Sequence, residues 1–311
     1  MNATCMTNAL HRLLVAAILI TALVSPVHSA PVLDETPRVA IISAFGQELN
    51  LLLTKLSESQ EHSVNGVTFT TGKLEGKRVV LFVCGVSMTN AAMTTQLALD
   101  RFNITNIVVS GIAGGVNPAL QIGDVTVAEQ WGQYLELLMA RESTPGKYAP
   151  PPWLDVVQLP NFGMMHPRPV GVRRAANKDP QTKFWFQSDP MMLAVARRIQ
   201  ETALARCDSS NQCLEHHPRV VVGGNGVSGA AFVDNAAFRE YVFNTFHANV
   251  LDMETAAIAH VAYSNGVGFI AFRSLSDLAG GGAGANEIGL FMKTAADNSA
   301  KVLLTFFAAW K

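Results

Sequence analysis

Charge is scarce in this chain. Only 15% of its 311 residues are Asp, Glu, Lys or Arg, and acids and bases nearly cancel at a formal net charge of −1. With no basic arm or stripe, it carries no electrostatic footprint for nucleic acid or for an anionic membrane surface. The apolar run Leu13 to Val24 is too short to span a bilayer comfortably. Internal repeats and low-complexity tracts are missing, and there are four cysteines. What remains is 49% hydrophobic, enough for a substantial core, at a length ordinary for one α/β domain.

The first residues form a separate unit. His11 and Arg12 precede the apolar run, and Ser25 to Ala30 supply a break and small residues. This is a secretory signal-peptide pattern over residues 1–29. Cleavage after Ser29, with Val27 at −3, is preferred to cleavage after Ala30, which would leave Pro31 beside the cut; an uncleaved anchor is the alternative. The mature protein is expected to be secreted or periplasmic, free of the membrane once the signal is removed. Cys5 leaves with the signal. Cys207 and Cys213 flank a polar segment and are expected to close a disulfide in an oxidising compartment. With only the adjacent His216 and His217 nearby, a zinc site is disfavoured. Cys84 ends an apolar strand and reads as a buried thiol.

Strands and helices alternate along the mature chain. Arg38–Ala44 is predicted as a strand and Glu48–Leu56 as a helix, with Leu49, Leu52, Leu53 and Leu56 at helical spacing. A hairpin follows over 67–71 and 77–84, then a helix over 88–102. A buried strand over 106–110 is expected to end in a glycine-rich turn or loop, Gly111–Gly115. A strand over 124–128 precedes a long excursion at about 134–183, rich in Pro, Gly and Met. Helices are expected over 190–206 and 235–246, with a strand over 219–223 between them. An Ala-rich helix, a strand leading to Asp277 and an amphipathic helix over 287–310 complete the chain. The pattern predicts a three-layer α/β/α sandwich around a mixed central sheet, one domain over 37–311. Sites in such sheets gather beyond the carboxyl ends of strands, and Glu48, the Gly111–Gly115 segment and Asp277 all fall there.

Two acidic motifs carry the chemistry. Asp252-Met253-Glu254-Thr255-Ala256-Ala257 places a carboxylate at a helix start, and Phe272-Arg273-Ser274-Leu275-Ser276-Asp277 ends a strand on another. One acid can grip vicinal hydroxyls while the other moves a proton, as cleavage of a nucleoside requires. Each residue alone has a plainer reading. Glu48 could simply complement a helix N-terminus, Asp277 could cap a turn, and Phe232 could be core. Arg273, inside an apolar strand, needs an acidic neighbour.

In order and content these segments resemble the nucleoside phosphorylase and nucleosidase superfamily. Ala40–Leu49 is similar to the opening strand and loop of methylthioadenosine/adenosylhomocysteine nucleosidases. Ser228–Val233 is similar to their base-stacking segment, and 251–257 with 274–277 to their ribose and purine signatures. Ser110–Pro118, Phe232–Asn235 and Leu275–Gly281 also resemble a secreted branch that includes plant bark storage proteins. The resemblance implies that Asp277 protonates the purine with help from Ser276, and that Glu254 holds both ribose hydroxyls above Met253. It further implies that Glu48 activates water, that Phe232 stacks on the base, and that main-chain groups of Val233 and Gly114 contact the ligand. It implies no metal or organic cofactor, and a homodimer.

Phosphorylases of this superfamily hold phosphate with arginines in the first loop and before the central glycines. Here those places are Phe45-Gly46-Gln47 and Val108-Val109-Ser110, so hydrolysis is the expectation. Ile112 stands where nucleosidases carry a small hydroxyl residue, and Ala230 replaces an Asp beside the base. Phosphorolysis, with Arg168, Arg173 or Arg174 supplying charge, is the alternative enzyme reading, and a storage or nucleoside-binding protein is the non-catalytic one.

Overall fold

The computed structural model describes residues 31–154, 156–208 and 211–311. The expected signal peptide, 1–29, lies outside the described residues. In chain order the strands of one twelve-stranded sheet are β1 (Asp34–Ser43), β2 (Ser57–Val64), β3 (Val67–Leu74), β4 (Lys77–Val83), β5 (Phe102–Gly115), β6 (Val125–Val127), β7 (Gln130–Gln133), β8 (Trp185–Gln187), β9 (Val220–Val222), β10 (Asn225–Ser228), β11 (Ala248–Asp252) and β12 (Gly268–Asp277). The helices are α1 (Gly46–Lys55), α2 (Met88–Arg101), α3 (Pro190–Arg198), α4 (Ala236–Phe246), α5 (Thr255–Asn265) and α6 (Ile288–Ala309).

Period-two patterning gives the central strands two buried faces. Ala40, Ile42, Val80, Phe82, Ile107, Val109, Phe269 and Ala271 point to one side, where they meet Ala91 and Ala98 of α2 and the Ala-rich face of α5. Ile41, Val79, Leu81, Val108, Ile270 and Phe272 point to the other, against Leu49 and Leu52 of α1 and Leu303, Phe306 and Phe307 of α6. The result is the expected sandwich, helices on both faces of a mixed sheet. The main path runs β8-β7-β10-β11-β5-β1-β4-β3-β2. β1 with β4 and β5, β5 with β12, and β10 with β7 and β11 are parallel pairs. β11 meets β5 antiparallel.

β5 is the organising strand, and here the structure departs from the sequence expectation. Gly111–Gly115 is neither turn nor loop: the strand runs through it. Its length is used for two sets of neighbours. Asn106 to Ala113 pair with β12 on one side, and Phe102 to Val109 with β1 on the other; Gly114 and Gly115 then pair with Leu251 and Val250. Glycine permits the close passage, since a Cβ on Gly115 would lie 2.8 Å from the Leu275 side chain.

Other expectations need adjustment. The helix expected over 190–206 ends at Arg198. The Ile199 N–H turns back to the Ala196 carbonyl (3.1 Å), and further on Leu204 tucks into the core while the Ala205 N–H donates to Asn298 Oδ1 (2.8 Å) of α6. β2 was not anticipated, for Ser57–Val64 is polar along nearly its whole length; its strand geometry comes from pairing with β3. The 134–183 segment contains three short antiparallel ribbons, Leu137–Met139 with Met165–Pro167, Arg141–Thr144 with Lys147–Ala149, and Val170–Val172 with Gln181–Lys183. Cys207 and Cys213 form a disulfide, and Cys84 is a buried free thiol.

Trp131 of β7 lies directly opposite Gly226 of β10, and a Cβ on Gly226 would fall 2.7 Å from the fully buried indole. Gly226→Ala is therefore expected to overpack the sheet by about 1–3 kcal/mol. Thermal denaturation should show a lower Tm, by roughly 2–4 °C per kcal/mol in a chain approaching this size. An unchanged Tm would mean the indole shifts freely.

Candidate active site

Where β1 ends, the chain turns through Ala44 and Phe45 into α1, with Phe45 as N-cap and Glu48 in the first turn. Glu48 Oε2 accepts from the N–H groups of Ala44 (2.6 Å) and Phe45 (3.3 Å), tying down donors that the helix start leaves free. The plain reading of Glu48 is thus correct but incomplete. Its other oxygen, Oε1, accepts from the N–H of Ile112 on β5 (2.7 Å) and lies 3.6 Å from Arg273 Nη1. The side chain is 1% exposed.

Arg273, fully buried on β12, joins three acids from three different elements. Nε donates to Asp252 Oδ2 (2.7 Å) and to Thr255 Oγ1 (2.9 Å), Nη2 donates to Glu254 Oε2 (3.2 Å), and Nη1 faces Glu48. Burial disfavours its charge, but Asp252, Glu48 and Glu254 together hold the guanidinium pKa above its ordinary value. Asp252 in turn accepts from Ser228 Oγ, from Thr255 Oγ1 and from the N–H groups of Glu254 and Thr255 (3.2 Å each). That brace fixes the turn from β11 into α5. Gly111 lies beneath the cluster: a Cβ there would sit 2.1 Å from Arg273 Nη1 and 2.4 Å from Glu48 Oε1.

Glu254 is the N-cap residue of α5, and its Oε1 accepts from the Ser87 N–H (2.9 Å). Ser87 has φ +100°, a conformation that disfavours side chains other than glycine's, and the strain lies where its N–H orients an acid. Asp277 ends β12. Its Oδ2 accepts from Ser276 Oγ and its Oδ1 from the Ala279 N–H, both at 2.8 Å. A Cβ on Gly114 would lie 3.2 Å from Asp277 Oδ1, so the bare backbone leaves room for the acid.

One guanidinium is shared among three neighbouring carboxylates, and two of them, Glu48 and Glu254, are shifted towards the protonated form. Burial pushes Glu48 up to about 7, against the pull of Arg273 and of the Ile112 and Ala44 N–H groups. Burial also raises Glu254, again against Arg273. Asp277 is raised by burial despite hydrogen bonds from Ala279 and Ser276. Buried acids with raised pKa values in one cavity are suited to proton transfer near neutrality.

All eight residues singled out from the sequence (Glu48, Gly114, Phe232, Val233, Met253, Glu254, Ser276 and Asp277) line one cavity of about 170 Å³. Phe232 is 57% exposed, at the mouth, and therefore not core. Phe45, Val86, Ile112 and Ile288 add an apolar wall. Among the described residues lining the cavity none is Lys or Arg. Arg168, Arg173 and Arg174, the alternative sources of charge, do not line it, and Arg174 sits over the Tyr263 ring, 5.1 Å from its centroid. Sequence reasoning missed Asp252 as the brace of Arg273, although it heads the motif that was read. It missed Ser87 and Val86 because neither belongs to a recognisable pattern.

The geometry can be set beside known proteins. A family model described as the phosphorylase superfamily matches residues 38–308. A 5′-methylthioadenosine/S-adenosylhomocysteine nucleosidase of Halalkalibacterium halodurans is 30% identical over 268 residues, 86% of this chain and 96% of that protein. The crystal structure of the Neisseria meningitidis enzyme of the same name, in complex with methylthio-immucillin-A, is similar at TM-score 0.65 and 26% identity, covering 88% of this chain and 99% of that one. The Streptococcus pneumoniae enzyme with the transition-state inhibitor MT-ImmA gives TM-score 0.64 and 25% identity, covering 88% and 100%. This chain belongs to the phosphorylase superfamily.

Proposed function

We propose that the protein hydrolyses the N-glycosidic bond of purine nucleosides. What carries this reading is the composition of one cavity: acids with raised pKa values facing each other, with no Lys or Arg among the lining residues to receive an anionic nucleophile. Arg273 lies behind that wall and is engaged by Asp252, Glu254 and Glu48. Water is the nucleophile such a site suits.

In the proposed reaction, Asp277 donates its proton to N7 as the bond from C1′ to N9 breaks, and the electron pair leaves with the base. Positive charge develops on the ribosyl carbon beside Glu254, whose carboxylate accepts from the 2′ and 3′ hydroxyls while Met253 packs under the sugar. Glu48 takes a proton from the water that attacks C1′, giving free base and free sugar. Acid and base assistance of this kind is worth ~10²–10⁴ each. Phe232 stacks on the base, and main-chain groups of Val233 and Gly114 contact it. The apolar wall of Phe45, Val86, Ile112 and Ile288, taken with the relatives' names, supports adenine nucleosides bearing an apolar 5′-alkylthio group. The proposal includes export through an oxidising compartment, which the Cys207–Cys213 disulfide supports. It also includes a homodimer that covers exposed Val86 and Met93.

Base release from methylthioadenosine, adenosine, inosine, guanosine and uridine, with and without phosphate, tests the reaction. Release from a purine substrate in phosphate-free buffer is expected, with Asp277→Asn reducing kcat by at least ~10²-fold. Release only with phosphate would sink the hydrolytic reading, and binding without release would indicate a storage or binding role.

Glu48 sets a pH expectation. As the base it must lose its proton, so kcat/KM should rise with pH through about 7. Glu48→Gln should abolish turnover while substrate still binds. The sign for stability is opposite. A carboxyl raised from 4.5 to about 7 binds its proton more tightly in the folded state. Its contribution is complete below about pH 4.5 and is lost as pH rises through about 7. An acid limb well below pH 6 would remove Glu48 from the role of base.

Glu254→Gln keeps the shape but halves the accepting capacity for the sugar hydroxyls. A fall in kcat/KM of at least ~10-fold is expected for ribosides, the scale of one hydrogen bond to a charged group. The fall should be much smaller for 2′,3′-dideoxy substrates; equal losses for both would argue against contact with the hydroxyls.

A further inference from the structure

Both carboxylate oxygens of Glu254 are already engaged on one side. Oε1 accepts from the Ser87 N–H (2.9 Å) and Oε2 from Arg273 Nη2 (3.2 Å). An ionised carboxylate oxygen accepts about two hydrogen bonds, so each keeps one acceptor direction for one of two vicinal hydroxyls. The two donors together set the plane of the carboxyl group. Arg273 is fully buried and fixed by Asp252, whereas Ser87 is only half-buried and belongs to the short turn between β4 and α2. What holds that turn decides how well Glu254 is aimed.

The turn is anchored at Cys84, whose N–H donates to the Ser43 carbonyl (2.9 Å) and whose carbonyl accepts from Thr94 Oγ1 (3.1 Å). Gly85 then lies at φ +84°, and Ser87 at φ +100° with ψ 148°. The Ser87 conformation is almost confined to glycine and persists only where its surroundings impose it. Its own hydroxyl does not: Ser87 is the N-cap of α2 but makes no side-chain cap bond. Asn90, in the first turn of α2, supplies the hold. Its Nδ2 donates to the Val86 carbonyl (2.7 Å), and it packs over Gly85 so closely that a Cβ there would lie 3.2 Å from Asn90 Cβ. The Val86 carbonyl and the Ser87 N–H belong to one peptide unit. A trans peptide is planar, so its two polar ends point in opposite directions and turn together. One end is gripped by Asn90 and the other meets Glu254.

We propose that Asn90 is a positioning residue for Glu254: by holding the carbonyl end of the 86–87 peptide it aims the N–H end at Oε1, and so sets the carboxylate that receives the sugar hydroxyls. The proposal rests on the reading of the cavity as a nucleoside site and adds to it a residue that does not line the cavity. Two hydrogen bonds through one peptide also strengthen each other, because each polarises the group that makes the next. The same grip places the Val86 side chain, which does line the cavity. Asn90 itself is exposed, so its replacement leaves the core untouched.

Two variants remove the donor without weakening α2. Asn90→Ala has the better helix propensity, and Asn90→Asp puts a negative charge in the first turn, where the helix dipole favours it. Both are expected to lower kcat/KM for methylthioadenosine about 5-fold, the scale of one ordinary hydrogen bond. For its 2′,3′-dideoxy counterpart the change should be slight. Equal losses on the two substrates, or no loss on either, would overturn the proposal. So would a wild-type Asn90→Asp beside an impaired Asn90→Ala, since the two share only the missing donor. A second readout needs no turnover: amide hydrogen exchange at Ser87 in the ligand-free protein, followed by NMR. Faster exchange in both variants supports the proposal, and an unchanged rate overturns it. Should the wild type release no base from any nucleoside, the hydrolytic reading fails on its own. The Kd ratio of the same two ligands and the Ser87 exchange rate then decide the role of Asn90, and a protein that binds neither ligand overturns both readings.

Discussion

The guanidinium of Arg273 is the constraint on which the site depends. It is a full positive charge with no access to water, and it is tolerated because Asp252, Glu254 and Glu48 surround it. Removing one member of such a cluster strands the others, at a cost of order 3–5 kcal/mol for a buried pair. The three acids come from the end of β11, the start of α5 and the first turn of α1, so the ion cluster joins elements that the sheet alone would leave independent. Glu48 and Glu254 thereby serve two ends. They satisfy the arginine on one side and line the cavity on the other.

The same arrangement explains why the acids hold protons. Desolvation raises all of the affected carboxyls, and a single cation shared among three offsets it only in part. Asp277 stands apart from Arg273, with hydrogen bonds from Ser276 and Ala279 in place of a cation. Acids of one cavity are thus held by different means: one set by charge, the other by neutral donors. That division suits a reaction that needs a base and an acid in the same small space.

The layered architecture was legible because apolar alternation along β1, β4, β5 and β12 is strong, and the helices between them show regular spacing. The residues of the cavity were legible together because Met253, Glu254, Ser276 and Asp277 sit in two compact motifs, and Glu48, Gly114, Phe232 and Val233 in short segments near strand ends, where this kind of sheet gathers ligands. What was hidden depended on tertiary contacts. Gly111 looks like a turn residue in sequence, yet it is a strand residue kept bare by the arginine and the glutamate above it. β2 is a strand with a polar sequence, decided by its neighbour β3. Ala205, inside the span expected to be helical, gives its N–H to Asn298, nearly a hundred positions away. Ser87 carries no motif at all, and only its backbone conformation marks it.

The double pairing of β5 bears on how the chain comes together. Synthesis proceeds from the N-terminus, so β1 to β5 exist before β11 and β12 have been made. During that interval one side of β5 is an unpaired edge, rich in Ile and Val and open to wrong neighbours. Contacts this distant in sequence form late and slowly. Arg273 arrives with β12, so Glu48 has no counter-charge, and the cavity no floor, until the last third of the protein is in place. A chain interrupted before that point would hold eight of the twelve strands, with Glu48 in place but neither Glu254 nor Asp277.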